Sequence, residues 1–131
     1  MSQQQQGRCS ASRRARVATG LLLCVLFLPF VTAKATTHLV GDSSGWTFNV
    51  ESWTNGKKFK AGDILVFNYD TSLHNVAVVD ASGYKTCTSS PGAQTYSSGK
   101  DQVKLSKGQN YFICAIPGHC DGGVKISINA S

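Results

Sequence analysis

Short apolar or alternating runs, each closed by turn-forming residues, follow one another along the chain beyond residue 36. They predict six strands, at residues 38–41, 64–69, 75–79, 102–105, 110–114 and 124–129. Glycine, serine, asparagine, aspartate and proline are concentrated between these runs, as they are in turns. Strands of this length and spacing are typical of an antiparallel sandwich or barrel. The chain is therefore predicted to be all-β.

Helical patterning is nearly absent from the same part of the chain. Only residues 50–54 suggest a short helix. The segment 82–100 is rich in serine, glycine and other turn formers, and we predict that it is an irregular connection.

Three side chains with metal-binding chemistry lie at the ends of predicted strands. Cys114 closes the fifth strand, and His119 follows five residues later on a Pro-Gly turn. His74 precedes the apolar run of the third strand, where an unpaired imidazole would be costly to bury. A thiolate and two imidazoles form the trigonal ligand set of a blue copper centre. The sequence thus predicts one copper ion held by His74, Cys114 and His119.

Four segments of the chain resemble the phytocyanins, and in particular their plantacyanin branch. These segments are Trp46-Thr-Phe-Asn49, Phe59-Lys-Ala-Gly-Asp-Ile-Leu-Val-Phe-Asn-Tyr69, His74-Asn-Val76 and Tyr111-Phe-Ile-Cys-Ala-Ile-Pro-Gly-His-Cys120. The resemblance extends from about residue 36 to residue 130 and implies a Greek-key β-sandwich of cupredoxin type. It also implies that Asn75 ties the two ligand-bearing segments together, which would fix the orientation of the ligands.

Val124 departs from the pattern of this family. Five residues after the second histidine ligand, plantacyanins carry a methionine and stellacyanin-type relatives carry a glutamine, whereas this chain carries Val124. A valine side chain cannot coordinate a metal. The resemblance therefore implies a three-coordinate copper ion capped by an apolar side chain.

Three cysteines, Cys87, Cys114 and Cys120, remain when the first 35 residues are set aside. Because three is an odd number, one of them must be functional or free. In an oxidising compartment the economical arrangement is a Cys87–Cys120 disulfide with Cys114 as the metal-binding thiolate, and the resemblance implies the same pairing. A zinc site that adds Cys120 to the three predicted copper ligands is the alternative. It would leave Cys87 unpaired in a secreted protein.

Residues 1–35 have the pattern of a secretory signal peptide. They contain four arginines and no acidic residue, run apolar over residues 21–31 and end in Ala33-Lys-Ala35. A membrane anchor is less favoured, because the apolar run is too short to span a bilayer. An organellar transit peptide is a second alternative. We expect a single phytocyanin domain at residues 36–131, secreted to the extracellular space or apoplast.

The charge of the chain belongs mostly to this leader. The formal net charge is +6, but beyond residue 36 eight lysines oppose seven acidic residues, which leaves +1. No basic run or basic-aromatic stripe is present there, so neither nucleic acid nor an anionic membrane is an expected partner. No hydrophobic tail follows the last predicted strand, so no lipid anchor is expected either. We also expect a monomer.

The predicted function is that of a mononuclear blue copper protein that carries single electrons. No P-loop or dinucleotide fingerprint is present, so the chain is not expected to be an enzyme. A redox partner is expected to dock near His119, on an apolar patch formed by Ile116 and Pro117. The alternative is an extracellular cell-wall or signalling module in which copper is structural or incidental. His38 has no partner within reach by spacing and is predicted to lie on the surface.

Overall fold

The computed structural model describes residue 29 and residues 34–131. Residues 34–131 form one compact unit. The predicted signal peptide therefore falls almost wholly outside the described residues, and its cleavage stays a prediction. Within the described part of the chain, no helix is long and apolar enough to cross a bilayer.

Two β-sheets pack face to face and confirm the all-β prediction. The strands are β1 (Thr37–Leu39), β2 (Ile64–Asn68), β3 (Val76–Val79), β4 (Thr95–Tyr96), β5 (Lys100–Lys104), β6 (Gly108–Ile113) and β7 (Lys125–Ala130). One sheet has the order β1-β2-β5 and the other the order β4-β3-β6-β7. The six predicted strands match all of these except β4, with ends that differ by up to two residues. One pairing differs from the antiparallel expectation, because β1 runs parallel to β2.

The prediction for residues 82–100 was wrong in part. A short helix, α1, occupies Ala81–Thr86, and β4 lies further along the same segment. The helix begins there because the carboxylate of Asp80 accepts a hydrogen bond from the backbone N–H of Gly83 at 2.8 Å. The predicted short helix at residues 50–54 is present as the 3-10 helix Val50–Thr54, and a second 3-10 helix covers Asp42–Ser44.

Alternating residues of the strands fill the space between the sheets. In β2, Leu65 and Phe67 have no accessible surface, whereas their neighbours are half-buried. The ring of Phe67 packs 5.3 Å from Phe112 and 5.0 Å from Trp46. Each such side chain stabilises the fold by about 2 kcal/mol relative to an exposed position. Cys114 belongs to the same core.

His38 is not the surface residue that its position suggested. Its Nε2 atom lies 2.9 Å from the carboxylate of the buried Asp63, and its ring packs 4.7 Å from that of Phe59. Asp63 also accepts hydrogen bonds from the backbone N–H groups of Thr36 and Lys60, each at 3.0 Å. The sequence separation of 25 residues concealed this pair, which forms only because β1 and β2 are neighbours.

The three predicted ligands lie at one end of the sandwich, here called the metal end. Pairing of Ile113 with Lys125 places the end of β6 beside the start of β7, and β3 starts at the same end. Trp46 links the two sheets there, because its backbone N–H donates to Asn68 and its indole N–H donates to the carbonyl of Asn75.

Candidate metal centre

A tight turn after β2 positions His74. The carbonyl oxygen of Asp70 accepts the backbone N–H groups of Leu73 at 3.0 Å and His74 at 3.1 Å. The carboxylate of Asp70 accepts hydrogen bonds from the N–H and the hydroxyl of Ser72. These bonds fix the turn, and the side chain of His74 is left only 3% exposed.

A second loop carries Cys114 and His119 and is closed by Val124. The backbone N–H of Cys114 donates to the carbonyl of Val124 at 2.9 Å, and the N–H of Val124 donates to the carbonyl of His119 at 3.1 Å. Gly118 supplies the positive φ of 82° that the turn requires. Val124 is fully buried and joins the backbones of both predicted ligands on its loop.

The donor atoms of the three predicted ligands converge. The Nδ1 atoms of His74 and His119 are 3.1 Å apart, and the Sγ of Cys114 lies 3.6 Å and 3.8 Å from them, respectively. Ligand atoms about 2.0–2.3 Å from one shared ion are roughly 3–4 Å from each other. One soft sulfur and two imidazole nitrogens at these separations fit a copper ion.

Asn75 braces the two segments, as the resemblance implied. Its side-chain oxygen accepts the backbone N–H of Ala115 at 2.8 Å, one residue after Cys114. Its own carbonyl oxygen accepts the indole N–H of Trp46 at 2.9 Å. Asn75 and Ala115, which follow His74 and Cys114, are therefore bonded to each other, and Asn75 is also bonded to the opposite sheet through Trp46.

Phe48 is a feature of the site that sequence reasoning missed. The centroid of its ring lies 5.4 Å from that of His74 and 5.0 Å from that of His119, in an edge-to-face arrangement with each. A Cβ atom at Gly122 would lie 2.7 Å from the Phe48 ring, so any larger residue there would displace the ring. The motif 46–49 pointed to this segment but not to the contact, because no spacing rule connects residue 48 with residues 74 and 119.

The electrostatic surroundings keep His74 in the form that binds a metal. Burial lowers its pKa below the ordinary value of 6.5, and the neighbouring His119 lowers it further, against an opposing effect of Asp70. The imidazole is therefore neutral at neutral pH and keeps a lone pair for coordination.

The predicted disulfide is present. Cys87 and Cys120 are bonded, and Cys114 is the free cysteine of the described residues. Cys87 ends helix α1 in a left-handed conformation, so the bond connects that helix to the residue after His119. The alternative zinc site is wrong for this structure, because the sulfur of Cys120 is already bonded.

Comparison with known proteins agrees with this geometry. Residues 46–124 match the family described as the plastocyanin-like domain. A chemocyanin from Lilium longiflorum is 48% identical over 126 residues, which cover 96% of this chain and 98% of that protein. A basic blue protein from Cucumis sativus is 59% identical over 93 residues, which cover 71% of this chain and 97% of that protein.

A solved structure has the same fold. The blue copper protein called cucumber basic protein superposes with a TM-score of 0.72 at 58% identity, over 73% of this chain and 100% of that chain. The residues that match include the segments that position the histidines and the cysteine of the metal centre. This chain therefore belongs to the plastocyanin-like family, among the blue copper proteins of the phytocyanin type.

Proposed function

We propose that the protein is a secreted single-electron carrier whose copper is held by His74, Cys114 and His119. The observation that carries the proposal is the convergence of one sulfur and two Nδ1 atoms within 3.8 Å of one another. When bound, copper supplies a one-electron couple between Cu(I) and Cu(II). The chain supplies the ligands and a fixed geometry for both oxidation states.

The bonded framework around the ligands supports a carrier rather than an enzyme. The Asn75 brace and the backbone bonds of Val124 hold the ligand segments, so little rearrangement accompanies a change of charge. Phe48 packs over both imidazoles and limits the room for a substrate. His119 is half-exposed whereas His74 and Cys114 are buried, so the ring of His119 is the route for the electron.

Three further expectations belong to the proposal. The leader at residues 1–35 would direct the protein out of the cell, where the Cys87–Cys120 disulfide is stable. A redox partner would dock at the exposed edge of His119, beside Ile116 and Pro117. Val124 would cap the copper ion without coordinating it.

The test is the optical spectrum of the purified protein after addition of Cu(II). We expect an intense blue thiolate-to-copper charge-transfer band and rapid electron exchange with small inorganic reagents. Cys114→Ser is expected to abolish the band, because the serine oxygen cannot provide this transition. Ser106→Ala serves as a control at an exposed position in the turn between β5 and β6, at the opposite end of the sandwich.

Two results would contradict the proposal. A colourless protein that carries zinc after production in copper-rich medium would refute the ligand assignment. A blue protein that fails to exchange electrons with any small reagent would favour the alternative, an extracellular module in which copper has a structural role.

A further inference from the structure

The loops at the metal end carry negative charge and no positive side chain. The loops at this end are residues 40–49, 69–75, 97–99 and 114–124. These loops contain three aspartates, Asp42, Asp70 and Asp121, and no glutamate, lysine or arginine. All three aspartates are exposed.

The lysines are concentrated towards the other end of the sandwich. The backbone of Phe59 bridges to Ala130 at that end, and β5 ends there opposite Ile64. The lysines in or beside these segments are Lys57, Lys58, Lys60, Lys104 and Lys107. The aspartates there are engaged, since Asp63 is bonded to His38 and Asp80 caps α1.

Two lysines start strands at the metal end but do not lie in its loops. Lys100 begins β5 and Lys125 begins β7. The Nζ atom of Lys125 lies 4.5 Å over the ring of Tyr84 and donates to the carbonyl of the same residue. Lys125 is thereby directed to the side of the sandwich, where α1 packs.

Asp70 and Asp121 flank an apolar surface centred on the electron route. Phe48 is 46% exposed and Leu73 is 51% exposed, and Pro117 is exposed beside His119. Asp70 lies in the turn that carries His74, and Asp121 follows Cys120 in the loop that carries His119. The face around His119 therefore has an apolar centre and an acidic rim.

We propose that this acidic rim selects a cationic redox partner, a protein that presents lysine or arginine around an apolar contact. The inference rests on the proposed electron-carrier function and names the class of partner for the same site. The net charge of +1 on residues 36–131 predicts the opposite preference. When a partner is in contact, the acidic rim outweighs the net charge, because charges further away than the Debye length of about 8–10 Å are largely screened in physiological salt.

The experiment follows oxidation of the reduced, copper-loaded protein by two small complexes of opposite charge. The cation is tris(phenanthroline)cobalt(III) and the anion is hexacyanoferrate(III); each accepts one electron from the site and becomes cobalt(II) or iron(II). We expect the rate with the cation to fall severalfold as ionic strength rises from roughly 0.1 M to roughly 0.5 M, and the rate with the anion to rise.

Matched variants assign the effect to the rim. Asp121→Asn removes one charge at the metal end, and Asp80→Asn removes one charge at the other end while keeping a residue that can cap α1. After correction for any change in reduction potential, Asp121→Asn is expected to slow the cationic oxidant at low salt, and Asp80→Asn is not.

The outcomes separate this inference from the function on which it rests. A rate with the cation that rises with salt, or equal effects of the two variants, would overturn the acidic rim as the selector. Failure of both oxidants to react would instead refute the electron carrier itself.

Discussion

At the scale of single residues, Val124 is the residue of the ligand loop whose backbone connects two of the three ligands. It is fully buried, and its backbone is bonded to both Cys114 and His119. In the sequence, Val124 stands out because it lies five residues after His119, where related proteins carry methionine or glutamine. The structure adds that the residue closes the ligand loop, so a substitution there acts next to both ligands.

We expect Val124→Met to lower the reduction potential while the blue band persists. A thioether donates weakly to copper and stabilises Cu(II) relative to Cu(I). The expected fall is at least about 59 mV, which corresponds to about 1.4 kcal/mol for a one-electron couple. Paired voltammetry of the two proteins measures it.

Val124→Leu is the control for the methionine substitution. It also adds volume to a full core, at a cost in stability of about 1–3 kcal/mol, but it adds no donor atom. An unchanged or higher potential in Val124→Met, or an equal fall in both variants, would mean that residue 124 does not lie over the copper ion.

At the scale of elements, much of the fold was predictable because its strands are short, apolar and separated by clear turns. The ligand trio was predictable for a related reason, since Cys114 and His74 lie where such strands end. Local pattern fails where tertiary pairing decides. Strand β4 has only two residues, Thr95–Tyr96, and exists because it pairs with Val76 and Ala77. The parallel pairing of β1 and the contacts of Phe48 are equally invisible in local sequence.

The disulfide connects two elements, helix α1 and the ligand loop, across 33 residues. We expect the double variant Cys87→Ala/Cys120→Ala to lose about 3 kcal/mol of stability, because the unfolded chain regains the entropy of an open loop. Urea denaturation of the metal-free protein measures the loss. Chemical reduction of the unmodified protein should give a similar loss, and a value below about 1 kcal/mol for both would contradict the prediction.

At the scale of the whole molecule, Asp63 links the folded state to pH. Burial alone would raise its pKa, but hydrogen bonds from His38 and from the backbone of Lys60 and Thr36 lower it from 3.8 to about 2. The folded protein therefore holds this carboxylate in its charged form. The resulting stability is present above about pH 4 and is lost as the pH falls through about 2.

The corresponding test compares unfolding free energies across that acidic range. We expect Asp63→Asn to be less stable than the unmodified protein near pH 6 by about 2 kcal/mol, with the difference shrinking towards pH 2. Asp42→Asn, which removes an exposed carboxylate, should change the profile little. Parallel profiles for the unmodified protein and Asp63→Asn would show that other groups cause the acid dependence.

The unequal exposure of the three ligands would also decide how a copper ion enters and leaves the site. Cys114 has no accessible surface and His74 only 3%, so an arriving ion must pass the ring of His119 and the overlying Phe48. The time that copper stays bound would then depend on how often these two rings swing aside, and a protein that delivered copper would have to approach from that same face. Metal delivery and electron exchange would compete for one entrance.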